Sequence, residues 1–369
     1  MATIALDATY TVDPQPSGVA IYSRRLIESL VELETPHRFL VCYRLSRFGR
    51  RREFLRPVRS PRSGRPNFSV RLFQEHLTYW LPWEAELFHS LAQRPPAFRF
   101  CREVVTIIDV FPLTGQTYST PDFQRKFSRL LLEAAQRAAL IITPSQYTAD
   151  QLLKYASAAK KKIRVVPFGV DLPQCVMAGE QVLLEREKLV GGGNEMVLSV
   201  GVIQTRKNTL NALRALQLLP ERYRLVLAGG DGHGSEAVHE FIRREGLGSR
   251  VVLLGYAPAE TIPVLYQAAS VFLFPSLEEG FGLPVLEAMA YGLPVVASRT
   301  SSLPEVGGDA ALYVDPQDPH DIAQKVVSAV EDSARREEMI RRGLARAAEF
   351  NWRRTAEGNL KVYDEALSM

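Results

Sequence analysis

Short apolar runs rich in Val, Ile and Leu recur along nearly the whole 369-residue chain, with helix-length amphipathic stretches between them. This alternation constrains the fold more than any other feature. Runs such as Val104–Ile108 and Leu140–Thr143 carry no polar alternation, so strands there need cover on both faces. Strand–helix–strand repeats of this kind build parallel sheets in an α/β fold. In the first half, strands are predicted at 2–7, Phe39–Tyr43, Glu86–His89, Val104–Ile108, Leu140–Thr143 and Ile163–Val166. A helix carrying Ile21, Leu26, Ile27 and Leu30 follows a Pro- and Gly-marked loop from Asp13 to Gly18, and Phe123–Ala138 is predicted as another. The apolar residues from Phe68 to Trp83 are predicted to form a buried helix, with an acceptor-facing wall as the alternative.

The texture changes near residue 170. Gly169, Pro173, Gly179 and the triplet Gly191-Gly192-Gly193 bracket a short charged helix over Gln181–Leu189, as a connector would. A second alternating series follows, with strands predicted at Met196–Val200, Arg224–Leu227, Val251–Leu254, Val271–Phe274 and Pro294–Ala297. Helices are predicted at Asn208–Leu219, Glu236–Glu245, Ala259–Ala268 and, after a break at Phe350-Asn351, Trp352–Leu367. The length exceeds what one hydrophobic core usually serves. The expectation is therefore two doubly wound parallel-sheet domains, 1–170 and 195–350. A linker at 171–194 joins them, and a C-terminal helix over 351–369 packs back towards the first. Ligands of such sheets bind at the C-terminal ends of the strands, and two such domains predict a cleft between them.

Charge and cysteine usage exclude several classes. No stretch approaches the length of a membrane-spanning helix. The opening residues lack a basic segment and reach an acid at Asp7, unlike a secretory signal. Cys42, Cys101 and Cys175 are scattered and match no zinc spacing, which suits a reducing cytosol. The six histidines likewise show no ligand spacing, so no metal is expected. The net charge of +4 conceals a local run from Arg44 to Arg65, where nine arginines face only Glu53. That run reads either as a solvated loop or as a patch for anionic lipid headgroups at the inner membrane face. Nucleic acid fits less well, because only Phe48 and Phe54 interleave the arginines.

The chemistry concentrates in Phe274–Ala290. A predicted strand ends at Phe274, and a loop containing Glu279, Gly280, Phe281 and Gly282 lets the backbone approach a ligand. Pro284 is placed as the first residue of a helix whose N-terminus suits a diphosphate. Glu287 is placed in that helix's first turn, eight positions after Glu279. Singly, the two acids read as a solvated loop residue and a helix-dipole acid.

This segment resembles the Glu-x7-Glu signature of retaining glycosyltransferases of family four, which have the GT-B architecture of two Rossmann-like domains. The stretches Ser199–Asn208, Ser301–Ala310, Pro144-Ser145, Val166–Asp171 and Gly18–Tyr22 are similar to other segments of that family, and Trp352 to the start of its closing helix. The form around Pro304 resembles the mannosyltransferase-like branch. The resemblance implies a hexosyltransferase that moves a sugar from a nucleotide-diphosphate sugar, GDP-mannose first and UDP-sugars as alternatives, to a glycan or lipid-linked acceptor. The acceptor attacks from the face the nucleotide leaves, and the departing phosphate takes the proton.

By the same resemblance, Arg206 and Lys207 face the diphosphate in place of a metal, with Gly201 beside them. Glu279 bonds the sugar hydroxyls. Phe281, Gly282 and Leu283, with Gly280, offer backbone to sugar and diphosphate, and Glu287 accepts from the ribose. In the first domain, His89 and Asp109 are implied near sugar and acceptor, and Gly18 near the substrate phosphate. Related sequences often show His-Asp where this chain has Ile108-Asp109. A sugar-nucleotide epimerase or phosphorylase on the same frame, and a non-catalytic nucleotide- or carbohydrate-binding scaffold, remain the alternatives.

Overall fold

The computed structural model describes residues 1–55, 67–114, 118–173 and 175–369. The chain forms two compact units. One comprises Met1–Leu113, Asp122–Gly169 and Asn351–Met369; the other comprises Thr114–Pro121 and Val170–Phe350.

In the first unit the chain runs β1 (Thr3–Asp7), α1 (Gly18–Glu32), β2 (Arg38–Arg44), β3 (Phe68–Phe73), β4 (Leu87–Ser90) and β5 (Arg102–Thr106). It continues through α2 (Pro121–Arg137), β6 (Leu140–Thr143), α3 (Gln146–Tyr155) and β7 (Ile163–Val165). The seven strands lie in the order β3-β2-β1-β4-β5-β6-β7, with every pairing parallel. Leu6 of the central β1 sits between Val41 and His89. Strand order reverses between β1 and β4.

The second unit runs α4 (Gly179–Val190), β8 (Glu195–Val200), α5 (Thr209–Leu218), β9 (Tyr223–Ala228), α6 (Ser235–Arg244), β10 (Val251–Gly255) and α7 (Ile262–Ala268). Then come β11 (Val271–Phe274), α8 (Leu283–Ala290), β12 (Val295–Ser298), α9 (Leu303–Gly307), β13 (Ala311–Val314), α10 (Pro319–Glu331) and α11 (Ser333–Glu349). Its six parallel strands take the order β10-β9-β8-β11-β12-β13. Tyr223, Leu225 and Leu227 of β9 join Leu213, Leu216, Val238 and Phe241 of the covering helices in one buried core. The two-residue period of the strand and the helical period of its cover meet there.

Helix α12 (Trp352–Ser368) belongs to the first unit. It starts where Asn351 accepts a hydrogen bond from the Arg354 amide at 2.9 Å, a side-chain cap that accounts for the break seen in the sequence. Trp352, Ala356, Asn359, Tyr363 and Ala366 form its buried stripe.

Three elements differ from expectation. Phe68–Trp83 is not a buried helix: it is β3 followed by a single 3₁₀ turn, and Tyr79 is 89% exposed. Phe68, Val70 and Leu72 alternate with Ser69 and Arg71, and this period of two suits an edge strand. Strand β5 begins at Arg102 and ends at Thr106, two residues before Ile108. Its buried Glu103 is tolerated because the Arg137 Nε donates to it at 3.1 Å. Helix α7 starts at Ile262, not Ala259, with Pro263 fixing its first turn.

Candidate functional site

In the second unit the strand order reverses between β8 and β11, so their connections leave towards opposite faces and open a crevice at their C-terminal ends. The loops there are built by close backbone approach. A Cβ on Gly229 would lie 1.9 Å from the Gly201 carbonyl oxygen, so only glycine lets the loops after β8 and β9 cross. Asn208 takes the left-handed conformation (φ 59°), which an Asn side chain tolerates. Its Nδ2 donates to the carbonyls of Pro275 at 3.0 Å and Pro316 at 2.6 Å. The Leu277 amide donates to the Arg206 carbonyl at 2.8 Å. Together these bonds tie the Thr205–Lys207 turn to the loop after β11.

That tie sets the electrostatics. Arg206 Nη1 lies 3.0 Å and Lys207 Nζ 2.6 Å from the Glu279 carboxylate. Arg206 Nη1 also donates to the Glu278 carbonyl at 2.5 Å. Lys207 Nζ stands 4.5 Å from the centre of the Phe274 ring, a cation–π contact. Arg206 and Glu279 are buried, at 8% and 7% exposure. Burial alone would raise the Glu279 pKa, but the Arg206 and Lys207 charges outweigh it and hold it down to about 2. Glu279 therefore stays ionised, with both cations converging on its carboxylate. Glu278 turns elsewhere, its Oε2 accepting from Thr114 Oγ1 at 3.2 Å.

The loop from Glu279 to Gly282 is fixed from the side of α9. Ser301 Oγ accepts from the Glu279 amide at 3.1 Å. Ser302 Oγ lies 2.9 Å from the Glu279 carbonyl and 2.8 Å from that of Phe281. Gly282 precedes α8 with φ at +102°, the conformation that favours glycine, and a Cβ there would lie 2.6 Å from Leu303 Cδ2, so a side chain would also have to displace that methyl. Leu283 opens the helix, and Pro284 is its second residue rather than its first.

Glu287 is correspondingly in the second turn, not the first, which removes the helix-dipole account of it. Its partner is Tyr266 of α7, whose hydroxyl donates to Oε2 at 2.8 Å. Burial raises the Glu287 pKa, Tyr266 opposes that shift, and Asp171 adds to it. The two acids eight positions apart thus differ in kind, one clamped by cations and one capped by a phenol. Tyr266 was invisible in the sequence because it sits inside an apolar helical pattern. Asn208, Ser301 and Ser302 lay inside stretches already singled out, but only the fold shows what they bond.

The expected residues divide between the units. Gly201, Arg206, Lys207, Gly280, Phe281, Gly282, Leu283, Glu279 and Glu287 lie in the second; Gly18, His89 and Asp109 lie in the first. His89 is within β4 and wholly buried. Its Nδ1 is 2.7 Å from the Tyr363 hydroxyl and its Nε2 is 2.8 Å from Thr106 Oγ1, which is itself 2.8 Å from the Tyr22 hydroxyl. Burial pushes the imidazole down to about 3, so it is neutral. Asp109 is half-buried in the segment after β5. Gly18 is the first residue of α1 and has open space where a Cβ would go.

The arginine run is not uniformly solvated. Arg44 is buried (6% exposed), 3.2 Å from Asp7 and paired with Glu75. Arg47 pairs with Asp13 at 2.9 Å, and Arg50 donates to the Val12 carbonyl at 2.9 Å. Arg56, Arg59, Arg62 and Arg65 lie outside the described residues. Among the described residues no cluster of His, Cys, Asp or Glu is arranged to hold a metal ion, and no helix is long and apolar enough to cross a membrane.

Two family models match the chain: Glycosyl transferases group 1 over residues 183–346, and Glycosyltransferase Family 4 over residues 16–174. O-antigen chain mannosyltransferase B of Escherichia coli is 33% identical over 269 residues, covering 72% of this chain and 71% of that protein. Serotype-specific mannosyltransferase WbdA of Escherichia coli is 31% identical over 258 residues; the match covers 67% of this chain but 31% of that longer protein. D-inositol 3-phosphate glycosyltransferase of Corynebacterium jeikeium is 30% identical over 79% of this chain and 71% of its own length. Among solved structures, Anabaena HepE in complex with UDP-glucose superposes with a TM-score of 0.77 at 19% identity, covering 100% of both chains. Sucrose-phosphate synthase of Thermosynechococcus elongatus superposes with 0.76 at 23% identity, again over 100% of both. At these identities the superpositions speak for the fold.

Proposed function

The chain belongs to the glycosyl transferases group 1, with two Rossmann-like parallel-sheet units of the GT-B fold, and on that premise we propose that this glycosyltransferase is a retaining enzyme using a nucleotide-diphosphate sugar. The observation that carries the reading is the Arg206–Lys207–Glu279 group in the crevice between β8 and β11. A buried site with two fixed cations suits a diphosphate, and here it adjoins the start of α8.

In the proposed reaction the bond between the sugar's anomeric carbon and the diphosphate oxygen breaks, and its electron pair stays on that oxygen. Arg206 and Lys207 stabilise the charge that develops there, with no metal called on. The acceptor hydroxyl forms the new bond on the same face, and its proton passes to the departing phosphate. Glu279 is ionised throughout; it orients the sugar by accepting from its hydroxyls and does not act as a nucleophile. Glu287, with the Tyr266 hydroxyl on one oxygen, accepts from the ribose with the other. Residues 195–350 are the donor side in this reading and residues 1–170 the acceptor side. His89, neutral and bonded through both nitrogens, orders the strand ends there and transfers no proton in the reaction.

GDP-mannose is the first donor, supported by the named activity of the mannosyltransferase relatives. UDP-glucose is the second, supported by its presence in the HepE complex. The acceptor in this reading is a glycan or lipid-linked one; the O-antigen chain in that relative's name supports a glycan. We also propose that the protein works at an anionic membrane surface through the exposed part of the arginine run, including Arg51 and Arg52 but not the buried Arg44. Sedimentation with anionic but not zwitterionic vesicles tests this, and equal partitioning overturns it.

A thermal-shift panel with GDP, UDP, ADP and their sugar conjugates tests the donor site. A ligand at about 100 times its dissociation constant adds ~2.7 kcal/mol of stability. A shift with one nucleotide family, absent in Glu287→Ala, is the expected result. No shift with any nucleotide would count against the reading.

A further inference from the structure

The first unit has its own reversal of strand order, between β1 and β4, and a small cavity of about 140 Å³ lies against residues that follow these two strands. Tyr10 comes from the turn after β1, Ala92, Gln93 and Arg94 from the segment after β4, and Lys126, Phe127 and Leu130 from α2. The wall is apolar on the side of Phe127, whose ring stacks on Phe123 with centroids 4.0 Å apart. The opposite rim is polar.

Two features of that rim have no structural use. Gln93 holds a left-handed backbone (φ 46°), a conformation that costs a residue with a side chain on the order of 1 kcal/mol and that gathers at ligand sites. Its side-chain oxygen is buried without a hydrogen-bond partner among the described residues. Lys126 makes no ion pair among them either, although its neighbours on α2 do, Arg125 with Asp122 and Arg129 with Glu133. Arg94 is anchored at 2.8 Å to Glu75, which also takes Arg44, and Arg44 reaches Asp7. Those four charges cancel, so Lys126 leaves the rim one positive charge in excess.

We propose that this cavity is an acceptor subsite for a sugar bearing an oxyanion, a phosphate ester or a carboxylate. The oxyanion sits between Lys126 and Arg94, the sugar ring lies on the Phe127 face, and a sugar hydroxyl donates to the orphaned Gln93 oxygen. The inference rests on the transferase reading, and it narrows the acceptor to an anionic saccharide.

Isothermal titration of the full chain with mannose 6-phosphate, glucuronate and methyl α-mannoside tests it, with the first two arms separating phosphate from carboxylate. At least one anionic sugar binds about ten-fold more tightly than the neutral one, and Lys126→Gln removes that advantage, as loss of one charge-assisted contact predicts. Arg94→Lys, which keeps the charge and the Glu75 pairing, retains most of it. Equal binding of neutral and anionic sugars, no binding of any, or an unchanged affinity in Lys126→Gln overturns the proposal. Nucleotide-induced thermal shift in Lys126→Gln stays at the wild-type value, so a failed donor site and a failed acceptor subsite are read separately.

Discussion

Replacing Glu279 by Gln tests the electrostatic reading of the donor crevice without touching shape. Gln is nearly isosteric with protonated Glu, so the variant mimics the acid at low pH. In the folded protein the Glu279 pKa is held to about 2, against an ordinary value of 4.5. That difference corresponds to roughly 3 kcal/mol of folding stability. The folded-state pKa is depressed, so the contribution is fully present above about pH 4.5 and is lost as pH falls towards 2. By pH 3.5 a substantial part of it is gone, because the unfolded chain has begun to take up a proton that the folded chain refuses. The assay is urea unfolding of wild type and Glu279→Gln at pH 7, 5 and 3.5, following the transition of the second unit. Wild type is expected to lead by roughly 3 kcal/mol at the two higher values, and the lead is expected to narrow at the lowest. A lead that stays constant or widens from pH 5 to 3.5 refutes the claim that Arg206 and Lys207 keep Glu279 charged.

The other predictions concern the same crevice and the histidine of the first unit. Lys207→Ala removes one of the two charges proposed to face the diphosphate, so nucleotide affinity measured by titration falls about ten-fold or more; an unchanged affinity contradicts the proposed contact. Gly282→Ala combines a positive φ with a Cβ 2.6 Å from Leu303 Cδ2, and it lowers stability by about 1–3 kcal/mol and abolishes the nucleotide-induced thermal shift. A variant of wild-type melting temperature and nucleotide response would show that the loop geometry is not needed. His89, lowered to about 3, has the opposite linkage to a salt-bridged lysine: below about pH 6.5 the unfolded state takes a proton that the folded state excludes. Between pH 7 and pH 5 wild type should lose about 2 kcal/mol relative to His89→Gln, and parallel pH profiles of the two proteins would contradict the neutral, enclosed imidazole.

How much was legible beforehand follows from what each residue does. The parallel strands were readable because burial on both faces forces continuous apolar runs, and β6 and β11 fall on the ranges their sequences predict. Edge strands were harder. β3 mixes Arg71 with Phe and Val because only one side is paired, and aromatic density alone then resembles a helix face. In the crevice, Gly282, Glu279, Arg206 and Lys207 stand out because they lie in the segments that resemble the family's signature and phosphate-binding loop. Glu287 was misplaced by one residue, enough to move it from the first turn into the second, since Pro284 takes the second helical position as readily as the first. Tyr266 gave no signal, for a buried tyrosine in an apolar stripe looks the same whether or not its hydroxyl caps a carboxylate.

The histidine shows why residue type is a weak guide to role. At the end of a predicted strand, His89 reads as a group offered to a ligand. In the fold it is one link in a buried chain that runs from Tyr363 of α12 through Thr106 of β5 to Tyr22 of α1. A neutral imidazole has one donor and one acceptor nitrogen, and both are engaged here, so its hydrogen-bonding capacity is spent inside the unit. The second unit treats its polar groups differently, bringing two cations onto the Glu279 carboxylate at the edge of a crevice. The same parallel-sheet frame thus gives a strand end whose histidine is satisfied within its unit in one case and one carrying clustered cations, which we propose receive the diphosphate, in the other. The difference lies in hydrogen-bond and charge balance, which a sequence lists residue by residue but only a fold can pair.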